Sequence, residues 1–97
     1  MRWGRTKREP VLVSREIRVQ NEMGMHARPA AEFVRKANSF RSEIALVKDG
    51  TRFSATSVID ILRANLERGA TLTLEAHGTD AEEAVAALEK VLSELRD

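Results

Sequence analysis

A two-layer α+β domain is the fold predicted by this chain of 97 residues. It is an open-faced sandwich: one four-stranded antiparallel sheet with three helices on one face. Three segments alternate apolar and polar residues with period two, each with one dry side, as half-buried strands do, and a short fourth follows a hairpin turn. Three more carry apolar residues at spacings of three and four, the stripe of a helix packed on one side. Their order is βαββαβα, and elements with one apolar side each bury it most economically in two layers around one core. The length suits one domain, with a core that is small but sufficient without staples.

In the first strand Val11, Val13, Ile17 and Val19 lie on one side, with Ser14, Glu16, Arg18 and Gln20 on the other. "NEMG" ends it. Ala30, Phe33, Val34, Ala37 and Phe40 then mark a helix over 27–38. Pro29 suits its first turn, where a missing N–H costs nothing. Glu32 and Lys36 form an i,i+4 pair on its wet side. "SEIALVK" is a strand with Ile44 and Leu46 inward, and Asp49-Gly50 is a strong hairpin turn into a short third strand, 51–54. "SVIDILRANL" is a brief helix that Ser57 caps, with Asp60 answering in a capping box. "ATLTLEA" alternates again with Leu72, Leu74 and Ala76 inward. The last helix, "GTDAEEAVAALEKVLSEL", is capped by Thr79 or Asp80 and packs through Ala81, Ala84, Val85, Leu88, Val91, Leu92 and Leu95. His77, in "AHGTD" between the last strand and this helix, reads as a solvated loop residue.

Composition narrows the chemistry. There is no cysteine, which removes disulfides, thiolate zinc sites and cysteine nucleophiles together. Two histidines are too few for a histidine-rich metal cage, so no metal and no cofactor is expected. No apolar run approaches the roughly 20 residues that cross a bilayer, and the N-terminal apolar segment is too short for a signal-peptide core. A cytoplasmic protein without membrane insertion is the expectation. Charge is uneven: residues 1–9 hold four basic side chains (Arg2, Arg5, Lys7, Arg8) against Glu9, while the rest holds 12 basic and 14 acidic residues. Residues 1–10 therefore read as a basic, disordered extension containing Trp3, and 11–97 as the domain. A nucleic-acid-binding module working through the basic arm is the rival from another class. The near-neutral body and the 4% aromatic content speak against it, because stacking platforms need rings.

The segment that could carry chemistry is "GMHARPAAEFVRKA". His26 stands just ahead of a helix whose first N–H groups lack intrahelical partners. Those donors and the helix dipole make an anion site. Arg28 adds a fork of donors suited to phosphate oxygens. A neutral imidazole beside such a site is a nucleophile near pH 7, since free histidine titrates at about 6.5. The terminus opposes a positive ring before attack and stabilises a phosphoryl group after it. Taken alone, His-x-Arg-Pro reads first as a helix cap or solvated surface histidine beside a surface cation, since helix starts attract polar residues.

"GMHARPAAEFVRKANSF" resembles the active-site segment of the HPr family, the histidine phosphocarriers of the phosphoenolpyruvate-dependent sugar phosphotransferase system (PTS). That family has Gly, an aliphatic residue, His, Ala or Thr, then Arg-Pro-Ala; Met25 takes the aliphatic place. The resemblance continues through Asp49-Gly50, Ser57 and "ERGATLTLEAHG" to the last helix, over about residues 12–96. It implies that His26 is phosphorylated on Nδ1, that Arg28 steadies the phosphoryl group, and that the chain relays phosphate from enzyme I to EIIA domains without turning over a substrate of its own. Ser57 matches the serine that a dedicated HPr serine kinase/phosphorylase modifies in many Gram-positive bacteria. Docking is expected on an exposed apolar patch of Met25, Ala27, Val58, Ile59 and Leu62, with Arg35 near its edge, in a monomer. Asp60, Arg63, Glu67 and Arg68 make the short helix and the turn after it more polar than in many members. The alternative within the family is a regulatory paralogue, of a nitrogen-type PTS branch, that uses the same His26 chemistry without sugar transport.

Overall fold

A computed structural model describes residues 9–96; residues 1–8 of the basic arm, Trp3 among them, lie outside these. The elements are β1 (Val11–Arg18), α1 (Ala27–Ala37), β2 (Glu43–Lys48), β3 (Thr51–Ser54), α2 (Val58–Arg63), β4 (Thr71–Gly78) and α3 (Ala81–Ser93). All pairings are antiparallel and the strand order is β1-β4-β2-β3. The predicted two-layer α+β sandwich is the observed architecture.

Register explains the layering. Val13 faces Ala76, Ile17 faces Leu72, Leu46 pairs with both Leu74 and Phe53, and Ile44 pairs with Ala76. Side chains two apart share a face, so these residues form one dry surface under the helices. In the core between that surface and the helices, Phe33, Leu46, Ile61, Leu72, Leu74, Val85 and Leu88 are the largest fully buried side chains. The other face carries Glu16, Arg52, Glu75 and His77. The ion pair of Arg52 with Glu75 reaches from β3 to β4 across β2. The β2–β3 turn places Asp49 at φ 50° and Gly50 at φ 81°, two successive positive values as a type I′ hairpin turn demands.

Several local expectations are corrected by tertiary contacts. His77 is the penultimate residue of β4, paired with Leu12 and Glu43, not a loop residue. Glu32 and Lys36 are not an ion pair among the described residues. Ser57 does cap α2, its Oγ accepting from the Asp60 N–H at 3.2 Å. The Asp60 carboxylate does not answer it; Oδ2 accepts from the Ser54 N–H at 3.3 Å instead, so only half of the box forms. Asp80 occupies the N-cap position of α3 but makes no side-chain cap bond. Its carboxylate accepts from the Arg41 N–H (2.8 Å), the Ser42 N–H (2.9 Å) and the Ser42 hydroxyl (2.6 Å). It thereby ties the start of α3 to the loop entering β2.

Those bonds, led by the Arg41 N–H and the Ser42 hydroxyl, hold the Asp80 carboxyl below its ordinary value of 3.8. A carboxylate with a depressed folded-state value contributes stability that is complete above its unfolded value and is lost as pH falls through the folded one. The Asp80 contribution should therefore be full at neutral pH and fade as pH drops below about 3.8. Urea melts of wild type and Asp80→Asn across that range should differ at pH 7 and converge in acid. A constant gap would show that the carboxylate charge contributes nothing.

Candidate functional site

α1 starts where it does because Pro29 and the apolar stripe behind it favour a helix just after an extended residue. His26 is that residue, the N-cap, with φ −86° and ψ −171°. Its carbonyl accepts the Ala30 N–H at 2.9 Å. Pro29 has no N–H to offer. The Ala27 and Arg28 amides are therefore left as donors without an acceptor among the described residues. No acidic side chain stands in the first turn of α1, whereas α2 has Asp60 there and α3 has Glu82 and Glu83. A helix N-terminus with free amides and no resident carboxylate is open to an external anion.

The imidazole is half-buried and makes no cap hydrogen bond. The ring nitrogen buried without a partner is Nε2. Nδ1 is not buried in that way, which fits the nitrogen that the sequence resemblance assigns to phosphorylation. Arg28, two residues on, is exposed and makes no ion pair with the described residues. It lies at the rim of an open groove that passes Arg35 and Lys36 toward Leu95 and Arg96 beyond α3. Exposed donors of this kind can close on phosphate oxygens without first breaking a bond inside the protein.

The approach to His26 is held from below. Asn21 Nδ2 donates to Gly24 O at 2.8 Å, and the Met25 N–H donates to Leu66 O at 2.8 Å, in the turn between α2 and β4. Gly24 has φ +67°, and a Cβ built there would meet Leu66 O at 2.4 Å. The glycine is needed for both its dihedral angle and its lack of a side chain.

The predicted docking patch divides. Ile59 is 67% exposed, Leu62 is 40% exposed, and Ala27 is exposed. Val58 is half-buried against the core. Met25 is corrected: at 5% exposure it is a core residue, drawn inward by its bond to the α2–β4 turn. Its neighbour Met23, which the sequence reading passed over, is 62% exposed. Its place in a polar turn was the available signal. Ile61, one residue from the patch, is the fully buried side of α2.

Residues 13–94 match the sequence model of the PTS HPr component phosphorylation site. The HPr-like protein Crh of Halalkalibacterium halodurans is 40% identical over 77 residues, 79% of this chain and 92% of that protein. The phosphocarrier protein HPr of Buchnera aphidicola subsp. Acyrthosiphon pisum is 35% identical over 80 residues, 82% of this chain and 94% of that one. Among solved structures, the phosphocarrier protein HPr of Bacillus anthracis superposes with a TM-score of 0.80 at 37% identity, covering 84% of this chain and 96% of that chain. With the family's sequence model spanning nearly the whole described fold, the chain belongs to the PTS HPr family of phosphocarrier proteins.

Proposed function

We propose that this chain accepts a phosphoryl group on His26 Nδ1 from phosphorylated enzyme I and passes it to EIIA domains in phosphoenolpyruvate-dependent sugar uptake. The observation that supports this most is the state of the His26 ring: it caps nothing, and its buried nitrogen is Nε2. In the neutral ring with its proton on Nε2, the Nδ1 lone pair attacks phosphorus and the bond from phosphorus to the donor breaks. The free Ala27 and Arg28 amides and the Arg28 guanidinium then meet the phosphoryl oxygens. Onward transfer reverses the step on a new acceptor. The exposed side chains Ile59, Leu62 and Ala27 are the apolar part of the docking surface, which suits a small interface that must release its partners. The chain works in the cytoplasm as a monomer. A domain-swapped dimer such as that described for Bacillus subtilis Crh is the competing assembly, and light scattering separates them.

The test is intact mass after incubation with phosphoenolpyruvate and enzyme I, followed by acid. One added phosphoryl group that acid removes supports the proposal; an unmodified mass, or a modification that survives acid, refutes it.

A second reading, a regulatory relative acting through Ser57, draws on the Crh relative and on the place of Ser57 at the head of α2. Aspartate is as good an N-cap as serine, so Ser57→Asp should preserve α2 while adding charge beside Ile59. Under this reading, titration with enzyme I and EIIA should show several-fold weaker binding. Unchanged affinities would count against regulation at Ser57.

A further inference from the structure

We infer that Lys48 is a positioning residue for His26, acting through the turn between α2 and β4; the inference rests on His26 being the phosphorylated residue. Lys48 is the last residue of β2, fixed in place by the Asp49-Gly50 turn that follows it. It shares the helix-facing side of the sheet with Leu46, two residues earlier. Its half-buried side chain reaches the end of α2, where Nζ donates to the carbonyls of Ala64 (3.1 Å) and Asn65 (2.8 Å). α2 has six residues, far too few to hold a helical turn unaided. A cation on its last carbonyls satisfies acceptors that no intrahelical N–H reaches, and it opposes the negative end of the helix dipole. Asn65 itself is in the left-handed region, φ 55°, the conformation in which helices commonly end.

The next carbonyl along is that of Leu66, which takes the Met25 N–H at 2.8 Å. Met25 immediately precedes His26. A short run of bonds thus connects Lys48 Nζ to the Ala64 and Asn65 carbonyls, through one turn, to the amide that sets where the histidine begins. Met25 is also buried, in the same core cluster as Ala64 and Leu66. Misplacing a reacting group by about an ångström can slow its reaction about a hundredfold.

The test compares Lys48→Met, Lys48→Gln and Lys48→Arg. Three quantities are measured: hydrogen exchange of the Met25 amide, the maximal rate of phosphoryl acceptance from enzyme I, and the KM for enzyme I. Lys48→Met should exchange the Met25 amide faster and lower the maximal rate by about tenfold, with little change in KM. Lys48→Arg should recover most of both. Lys48→Gln, which keeps an N–H donor without the charge, should fall between and serves if the methionine variant does not fold. An unchanged Met25 amide in the folded variants overturns the inference, and so does a loss that appears only in KM. The Met25 exchange reads the connection even if His26 proves not to be the acceptor, so failure of the functional proposal and failure of this one are distinguishable.

Discussion

His26→Ala should abolish phosphoryl acceptance and leave the fold almost untouched. Incubation with phosphoenolpyruvate and enzyme I should give the wild type one acid-labile phosphoryl group and the variant none. Both halves of that expectation come from the geometry. The ring makes no cap hydrogen bond, so its removal takes no partner from the α1 amides. The main-chain carbonyl of residue 26 would still accept the Ala30 N–H, which in the wild type spans 2.9 Å. The buried Nε2 lacks a partner, and deleting a buried polar atom of that kind relieves a desolvation cost instead of adding one. The variant's thermal midpoint should therefore lie within a few degrees of the wild type's. No other side chain at this helix start is a nucleophile: Ala27, Arg28 and Pro29 have no atom that could form the phosphoryl bond. Undiminished acid-labile phosphorylation of the variant would move the chemistry elsewhere, with the exposed His77 on β4 the next candidate.

Legibility in the sequence followed the range of the contacts. The two periodicities placed the longer elements, because alternation and the 3.6-residue stripe report burial directly; Asp49-Gly50 placed β3 through its turn, and the Ser57 cap placed α2. His26 as a helix-leading residue was legible from Pro29 and the stripe behind it. Contacts between residues far apart in the chain were not. Asp80 reads as a cap from its neighbours, yet its carboxylate is engaged by Arg41 and Ser42. Asp60 turns to Ser54, accepting its N–H across the β3–α2 connection and not the amide that the capping box requires. Met25 looked like patch because it adjoins His26, and the Leu66 carbonyl that pulls it into the core lies forty-one residues on. Lys48 carried no signal at all: a lysine ending a strand before a turn is ordinary until the end of α2 is seen to lie within its reach.

Gly24→Ala should damage both the stability of the fold and the transfer of phosphate. At φ +67° an alanine would sit in the left-handed region, which costs a non-glycine residue about 1–3 kcal/mol. The new Cβ would also stand 2.4 Å from Leu66 O and 3.0 Å from Glu67 Cα. Both are backbone atoms, so no side-chain rotation relieves the contact. Either the 21–25 loop lifts or the α2–β4 turn retreats, and each movement breaks the bond from the Met25 N–H to Leu66 O. The same bond keeps Met25 buried, so the damage spreads into the core beneath α2. Stability should fall by about 2 kcal/mol or more, a drop of roughly 10 °C in melting temperature for a domain of this size. The surviving folded fraction should accept phosphate at least about tenfold more slowly, because the residue before His26 has lost its anchor. Urea melts and single-turnover transfer from enzyme I, run on the same preparation, check the two effects separately. A variant that melts and transfers like the wild type would mean that the turn yields freely, and that the hold on His26 from below is not what places it.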